Sequence, residues 1–185
     1  MRVIAGAVRG RRLKAPKGMM TRPTSDRTRE SLFNILAGRI DLTDCAVLDI
    51  CAGSGALGIE ALSRGARNCC FVERGREALE CITINLKSCD FMASATVMPS
   101  DARKALDASA RQGRSFDLVF FDPPYESDLY ADVPHAVMPL LAPDGILVIE
   151  CSSRRVLPDI IGSLVKVDSR RYGDTKLELF RQGDL

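Results

Sequence analysis

Two stretches of this sequence combine side-chain types and spacings that can do chemistry. One is Asp122-Pro123-Pro124-Tyr125, directly after the apolar run Val119-Phe120-Phe121. Successive prolines fix φ and remove two N–H donors, so the turn offers carbonyl oxygens in a stiff frame. An Asp carboxylate and a proline carbonyl can both accept from one exocyclic NH2. That turns the nitrogen lone pair out of the π system of a base and toward an electrophile. Tyr125 adds a ring on which a flat base can stack. A plain Pro-Pro loop after a buried strand is the alternative, and the glycine turn upstream weighs against it.

That glycine turn is Asp49-Ile-Cys-Ala-Gly53-Ser-Gly55-Ala-Leu-Gly58, which contains GxGxxG. Glycines permit a tight strand-to-helix turn and a close approach of backbone to ligand. Glu73 follows Gly53 by 20 residues, the distance at which an acid meets ribose hydroxyls, so a dinucleotide fold fits both features equally well. Asp49 tips the balance. A carboxylate just before the turn would crowd a pyrophosphate with like charge, but it suits a ligand carrying an ammonium and a sulfonium, as S-adenosylmethionine does.

These residues need a scaffold that gathers them, and the hydrophobic pattern predicts one. Apolar strands are expected at 46–50, 69–72, 96–98, 116–121, 146–149, 164–167 and 177–180. Helices are expected between them, the last three at 102–112, 129–141 and (short) 156–161, with an earlier one opened by Ser25 or Asp26 and presenting Leu32, Phe33, Ile35, Leu36 and Ile40. Continuous apolar strands between helices predict an α/β fold, a seven-stranded, mostly parallel sheet with helices on both faces. The last two strands are too closely linked for a helical crossover and should be antiparallel. Ligands bind such sheets outside the carboxyl ends of the strands. Four of those ends carry an acid: Asp49, Glu73, Asp101 and Asp122. Polar side chains gathered on one edge of an apolar sheet cost stability unless a ligand uses them.

The chain has 185 residues, 46% of them hydrophobic and 27% charged, a globular balance that excludes disorder and a disulfide scaffold. No apolar run is long enough to span a bilayer, and the basic N-terminus lacks the apolar stretch of a secretory signal, which predicts a cytoplasmic protein. The seven cysteines form no CxxC pair and His135 is the only histidine, so reduced thiols and no metal site are expected. The net charge of +2 hides an asymmetry: residues 1–40 sum to +8 and the rest to −6. Charge alone fits a polyanion-binding end and a solvated face equally well. Residues 1–6 and 11–15 read as a basic β-hairpin around Val8-Arg-Gly10.

Asp49–Gly58 together with Asp122–Tyr125 resembles the class I S-adenosylmethionine-dependent methyltransferases of the amino-group type. The opening RVIAG and RGRRL, Arg22-Pro-Thr-Ser-Asp26-Arg27, Arg29-Glu-Ser-Leu-Phe-Asn34, Glu60-Ala-Leu-Ser-Arg-Gly-Ala66, and Tyr172-Gly173 with Thr175 narrow the likeness. Nearly the whole chain resembles the RsmD family, bacterial 16S ribosomal RNA guanine-N(2)-methyltransferases. Cys51 stands where that family usually has an aromatic.

The resemblance implies a Rossmann-like methyltransferase domain over 23–185, preceded by a basic hairpin and loop over 1–22. Asp49, Ala52, Gly53 and Gly55 would contact S-adenosylmethionine at its methionine end, with help from Thr24 and Arg27. Glu73 would hold its ribose, Asp101 and Ala102 would meet its adenine, and Asp122 would border it. Asp122, Pro123, Pro124 and Tyr125 would hold the guanine, and Arg9, Arg11, Arg12 and Lys14 would contact phosphates of 16S rRNA or the small ribosomal subunit. Three other readings stay open. A DNA adenine methyltransferase shares the acceptor turn, but it usually carries a target-recognition region for which this chain has little room. A nicotinamide-dependent dehydrogenase leaves Asp122–Tyr125 unexplained, and a non-catalytic RNA-binding assembly factor gives no reason for the four acids.

Overall fold

The apolar runs of the middle of the chain line up as neighbouring strands in a computed structural model that describes residues 1–16 and 25–183. Five of them pair in parallel in the spatial order β3-β2-β1-β4-β5: β1 (Ala46–Ile50), β2 (Asn68–Glu73), β3 (Ala95–Pro99), β4 (Phe116–Phe121) and β5 (Leu141–Ser152). Every residue of β1 is buried, as expected of a central strand covered on both faces. The order reverses between β1 and β4, so the ends of these two strands flank the switch point of the sheet.

Beyond β5 the sheet turns antiparallel through β8 (Thr175–Gln182), β7 (Leu164–Tyr172) and β6 (Ile160–Ile161). The expected seven, mostly parallel strands are therefore eight in a mixed sheet, with four parallel and three antiparallel pairings. The extra strand replaces the short helix expected at 156–161. Pro158 disfavours helical backbone at Leu157, and Gly162, at φ +59°, turns the chain so that Ile161 pairs with Leu164. The expected antiparallel pairing of the last two strands is found, closed by a two-residue turn with Gly173 at φ +62°.

Helices α1 (Asp26–Ala37), α2 (Ala56–Ser63) and α3 (Arg76–Ser88) pack one face of the sheet, and α4 (Ala102–Arg111) and α5 (Val133–Val137) pack the other. Ser25 caps α1 by accepting from the Thr28 N–H. The long helix expected at 129–141 is broken into a 3-10 turn at Asp128–Ala131, α5, and a second 3-10 turn at Met138–Leu140. Pro134 and Pro139 remove the N–H donors that would have joined them.

The expected N-terminal hairpin is reduced to a single antiparallel bridge, Arg2 to Arg12. The ladder stops because the next two donors are taken elsewhere. Ile4 and Ala5 donate to the two oxygens of Glu60 on α2, at 2.7 and 3.0 Å. The segment is fused to the body: Val3 and Leu13 lie in the core with α1 and α2. Ala7 N–H donates to the Ser63 carbonyl at 2.7 Å, and Asn85 of α3 bonds both the N–H and the carbonyl of Lys14. Gly6, at φ +83°, lies so close to α2 that a Cβ there would sit 1.8 Å from the Ser63 oxygen.

Candidate active site

The four acids predicted at strand ends stand on one rim of the sheet, because β3, β2, β1 and β4 are consecutive neighbours. Backbone bonds stitch the loops above them together. Asp122 N–H donates to Ile50 O at 3.3 Å, Ala52 N–H to Val72 O at 3.1 Å, and Ser100 N–H to Glu73 O at 3.0 Å. The Pro-Pro turn is thereby tied to the end of β1, and the glycine turn to the end of β2.

The glycine turn uses left-handed backbone three times within five residues: Cys51 at φ 61°, Gly53 at 56° and Gly55 at 76°. Gly55 is the N-cap of α2 and has no side chain to cap it, so the first turn of that helix opens onto the rim, where Asp49 takes the Gly58 N–H. Such a loop can wrap a ligand closely. A Cβ on Gly55 would meet Ile82 and Phe71 at 3.3 Å, which keeps the residue there small.

Asp49 is buried at 1% exposure. One carboxylate oxygen, Oδ2, accepts from the Gly58 N–H at 3.0 Å, while Oδ1 is buried with no hydrogen-bond partner. Burial pushes the Asp49 carboxyl up to about 7; the Gly58 bond opposes that shift and the charge of Glu73 adds to it. A buried acceptor left unpaired costs on the order of 1–3 kcal/mol, and a cationic donor would relieve it. Glu73 is partly exposed and organised by backbone: Oε1 accepts from the N–H groups of Arg74 and Gly75, and Oε2 from that of Gly53. The Cys51 thiol is pushed up to about 12, mainly by burial and then by Glu73, Asp122 and Asp49. Three carboxylates thus act on one half-buried side chain, a measure of how tightly the acids converge.

Asp101 is the N-cap of α4 and accepts from Arg103 N–H at 3.0 Å, with Ala102 buried behind it. At the acceptor turn, Pro123 is buried, Asp122 and Tyr125 are half-buried, and Pro124 is exposed. The Tyr125 hydroxyl meets that of Thr175 at 2.8 Å, and burial raises the phenol above its ordinary range. Tyr130 is buried against Phe121; its hydroxyl donates to Glu150 O at 2.9 Å and lies 3.4 Å from Pro123 O.

Other expected residues lie outside this rim. Arg9, Arg11, Arg12 and Lys14 are exposed, and none forms an ion pair with another described residue. Arg27, on α1, lines a cleft of about 230 Å³ with Arg2, Arg9 and Gly10 of the N-terminal segment. Thr24 lies outside the described residues. Sequence reasoning missed Glu60, Asn85, Arg155 and the contact made by Thr175. Glu60 gave one signal: it is a lone charge in the apolar helix Ala56–Ser63 and is fully buried.

Residues 1–181 match the family described as Conserved hypothetical protein 95. The chain is 39% identical over 184 residues to YlbH of Bacillus subtilis, covering 98% of this chain and 99% of that one. It is 36% identical over 162 residues to Ribosomal RNA small subunit methyltransferase D of Escherichia coli K12, covering 86% and 79% respectively. The solved structure of the methyltransferase-fold protein yhhF from Escherichia coli superposes with a TM-score of 0.83 at 32% identity, covering 100% of this chain and 99% of that one.

Proposed function

Because the chain belongs to the family described as Conserved hypothetical protein 95, the RsmD family of rRNA methyltransferases, we propose that it methylates the exocyclic N2 amine of a guanine in 16S rRNA with S-adenosylmethionine as methyl donor. The observation that carries this reading is the junction at the switch point: the Asp122-Pro-Pro-Tyr125 turn hydrogen-bonded to the end of β1, one strand residue beyond a buried carboxylate with an orphaned oxygen.

The residues fit the cofactor. Asp49 Oδ1 lacks a donor in a setting that an ammonium would satisfy, and Gly53 and Gly55 leave two left-handed positions of the turn without side chains. Asp49, Ala52, Gly53 and Gly55 would hold the methionine end, with Thr24 and Arg27. Glu73 would hold the ribose, and Asp101 and Ala102 would border the adenine. When bound, S-adenosylmethionine would supply a methyl group on a sulfonium, and a neutral amine can take that methyl as the thioether leaves.

The chain's own task is alignment and electrostatics. The Asp122 carboxylate and the Pro123 carbonyl accept from the guanine NH2, which fixes the nitrogen lone pair on the line of displacement. The Pro123 carbonyl has capacity for this because the Tyr130 hydroxyl has one proton and a closer acceptor in Glu150 O. Pro124 stiffens the turn and Tyr125 stacks on the base. As the N–C bond forms, the amine gains positive charge and acidity, and the fixed carboxylate of Asp122 stabilises that charge without reorganising. No strong base is required. A stacked guanine must first be extruded, at a cost of ~a few kcal/mol. The exposed cations Arg9, Arg11, Arg12 and Lys14 would supply sequence-independent attraction to phosphates; in this reading residues 1–22 serve as the RNA-contacting segment that precedes the 23–185 methyl-transfer domain, in a cytoplasmic enzyme.

Asp122→Ala tests the assignment. Turnover on small-subunit rRNA should fall by about 100-fold or more, with cofactor affinity, measured by calorimetry, nearly unchanged. A near-normal rate would remove Asp122 from the reaction. Faster methylation of duplex DNA than of rRNA would favour a DNA adenine methyltransferase, and cofactor-independent RNA binding with no transfer would favour an assembly factor.

A further inference from the structure

The antiparallel end of the sheet makes contacts with the acceptor turn that the proposed chemistry does not account for. Thr175, the first residue of β8, lies opposite Ser152 at the end of β5. Its hydroxyl reaches the Tyr125 hydroxyl at 2.8 Å, 50 residues away in sequence. Arg155, in the loop after β5, donates from Nη2 to the Tyr125 carbonyl at 2.8 Å. Its guanidinium lies 4.1 Å from the centroid of the Tyr130 ring, the residue whose hydroxyl bonds Glu150 O. Lys176 in turn donates to the Arg155 carbonyl at 2.6 Å and pairs with Glu178, itself 1% exposed, at 2.6 Å. Tyr125 is therefore held at both ends, backbone and phenol, by residues of a strand and a loop that belong to the antiparallel extension.

An aromatic platform needs such restraint. A tyrosine ring on an exposed loop samples several χ1 wells, and base–aromatic stacking contributes only when the ring already presents its face. A phenol tethered at its para oxygen cannot swing about χ1 without breaking that bond. From this geometry we infer that Thr175 and Arg155 are positioning residues that lock Tyr125 in its base-stacking orientation, making the antiparallel end of the sheet part of the nucleobase site. The inference rests on the function proposed above, in which Tyr125 faces the target base.

A double-mutant cycle tests it, because a hydroxyl that acts through another hydroxyl has no role once its partner is gone. Single-turnover methylation of small-subunit rRNA would be measured for wild type, Thr175→Val, Tyr125→Phe and the double variant, with Thr175→Ser as the conservative control. Cofactor affinity and thermal midpoint would be recorded for each. Thr175→Val should lower kcat/KM for RNA about tenfold, within the range for weakened base stacking, with cofactor affinity unchanged. Thr175→Ser should recover most of the rate, and the double variant should be no slower than Tyr125→Phe alone. Multiplicative losses in the double variant, or a Thr175→Ser protein as slow as Thr175→Val, would overturn the inference and leave the proposed function standing. A wild-type protein that transfers no methyl group to rRNA would overturn both.

Discussion

Replacing Asp49 by Asn should change how the stability of this fold depends on pH. The native carboxyl is lifted from 3.8 to about 7 by burial, whereas in the unfolded chain it returns to its ordinary value. The native state therefore holds a proton that the unfolded state releases. In that case stability falls as pH rises: the contribution is fully present below about 3.8, declines up to about 7, and is flat above. A displacement of that size corresponds to about 4 kcal/mol over the whole window, and to about 3 kcal/mol between pH 5 and pH 8. Asparagine keeps the shape and the acceptor for Gly58 N–H but cannot ionise. Its amide nitrogen, left where Oδ1 has no partner, adds a fixed cost on the order of 1–3 kcal/mol that does not vary with pH. Urea unfolding of both proteins at the two pH values isolates the effect, since every other titrating group is common to them. The variant should gain about 3 kcal/mol relative to wild type on going from pH 5 to pH 8. A difference that does not move with pH would refute the claim that Asp49 is buried as a neutral acid.

The same carboxyl bears on the ligand. If an ammonium neutralises Asp49, cofactor affinity should weaken as pH falls below about 7, and calorimetry in buffers of different ionisation enthalpy should detect proton release on binding; pH-independent affinity from 5 to 7 would contradict this. Reversing Arg9, Arg11 and Arg12 to Glu should weaken RNA binding and flatten its log–log salt dependence by about 2–3, with cofactor affinity unaltered; an identical salt slope would take the N-terminal segment out of the RNA contact. Glu60→Ala removes the acceptor of Ile4 and Ala5 and leaves Arg29, 1% exposed, without one of its two carboxylates. It should cost about 3–5 kcal/mol in chemical unfolding, and a loss below 1 kcal/mol would show that the segment is not anchored there.

The core of the site was legible because it is local. Asp49 to Gly58 and Asp122 to Tyr125 are each a strand end and the turn that follows, and turn chemistry is written in consecutive residues. The gathering of Glu73 and Asp101 with them required only that successive parallel strands lie side by side. What was not legible depends on distant partners. Nothing near Ile4 announces that its N–H will go to Glu60, 56 residues later, and so the hairpin ladder was overestimated. The strand at Ile160–Ile161 was hidden because two residues have no period, although Pro158 and Gly162 were signals against a helix. The insertion of β8 between β5 and β7 brings Thr175 to Tyr125, and that contact follows from sheet order, which hydrophobic pattern does not encode.

The identity of the methylated nucleoside bears most directly on the central claim. Small-subunit rRNA purified from cells lacking the gene would be incubated with the protein and S-adenosylmethionine, digested to nucleosides and analysed by mass spectrometry. The account predicts one new N2-methylguanosine, made by wild type and missing with Asp122→Ala. A methyl group on any other nucleoside, or an undiminished N2-methylguanosine signal from the Asp122→Ala protein, would contradict it.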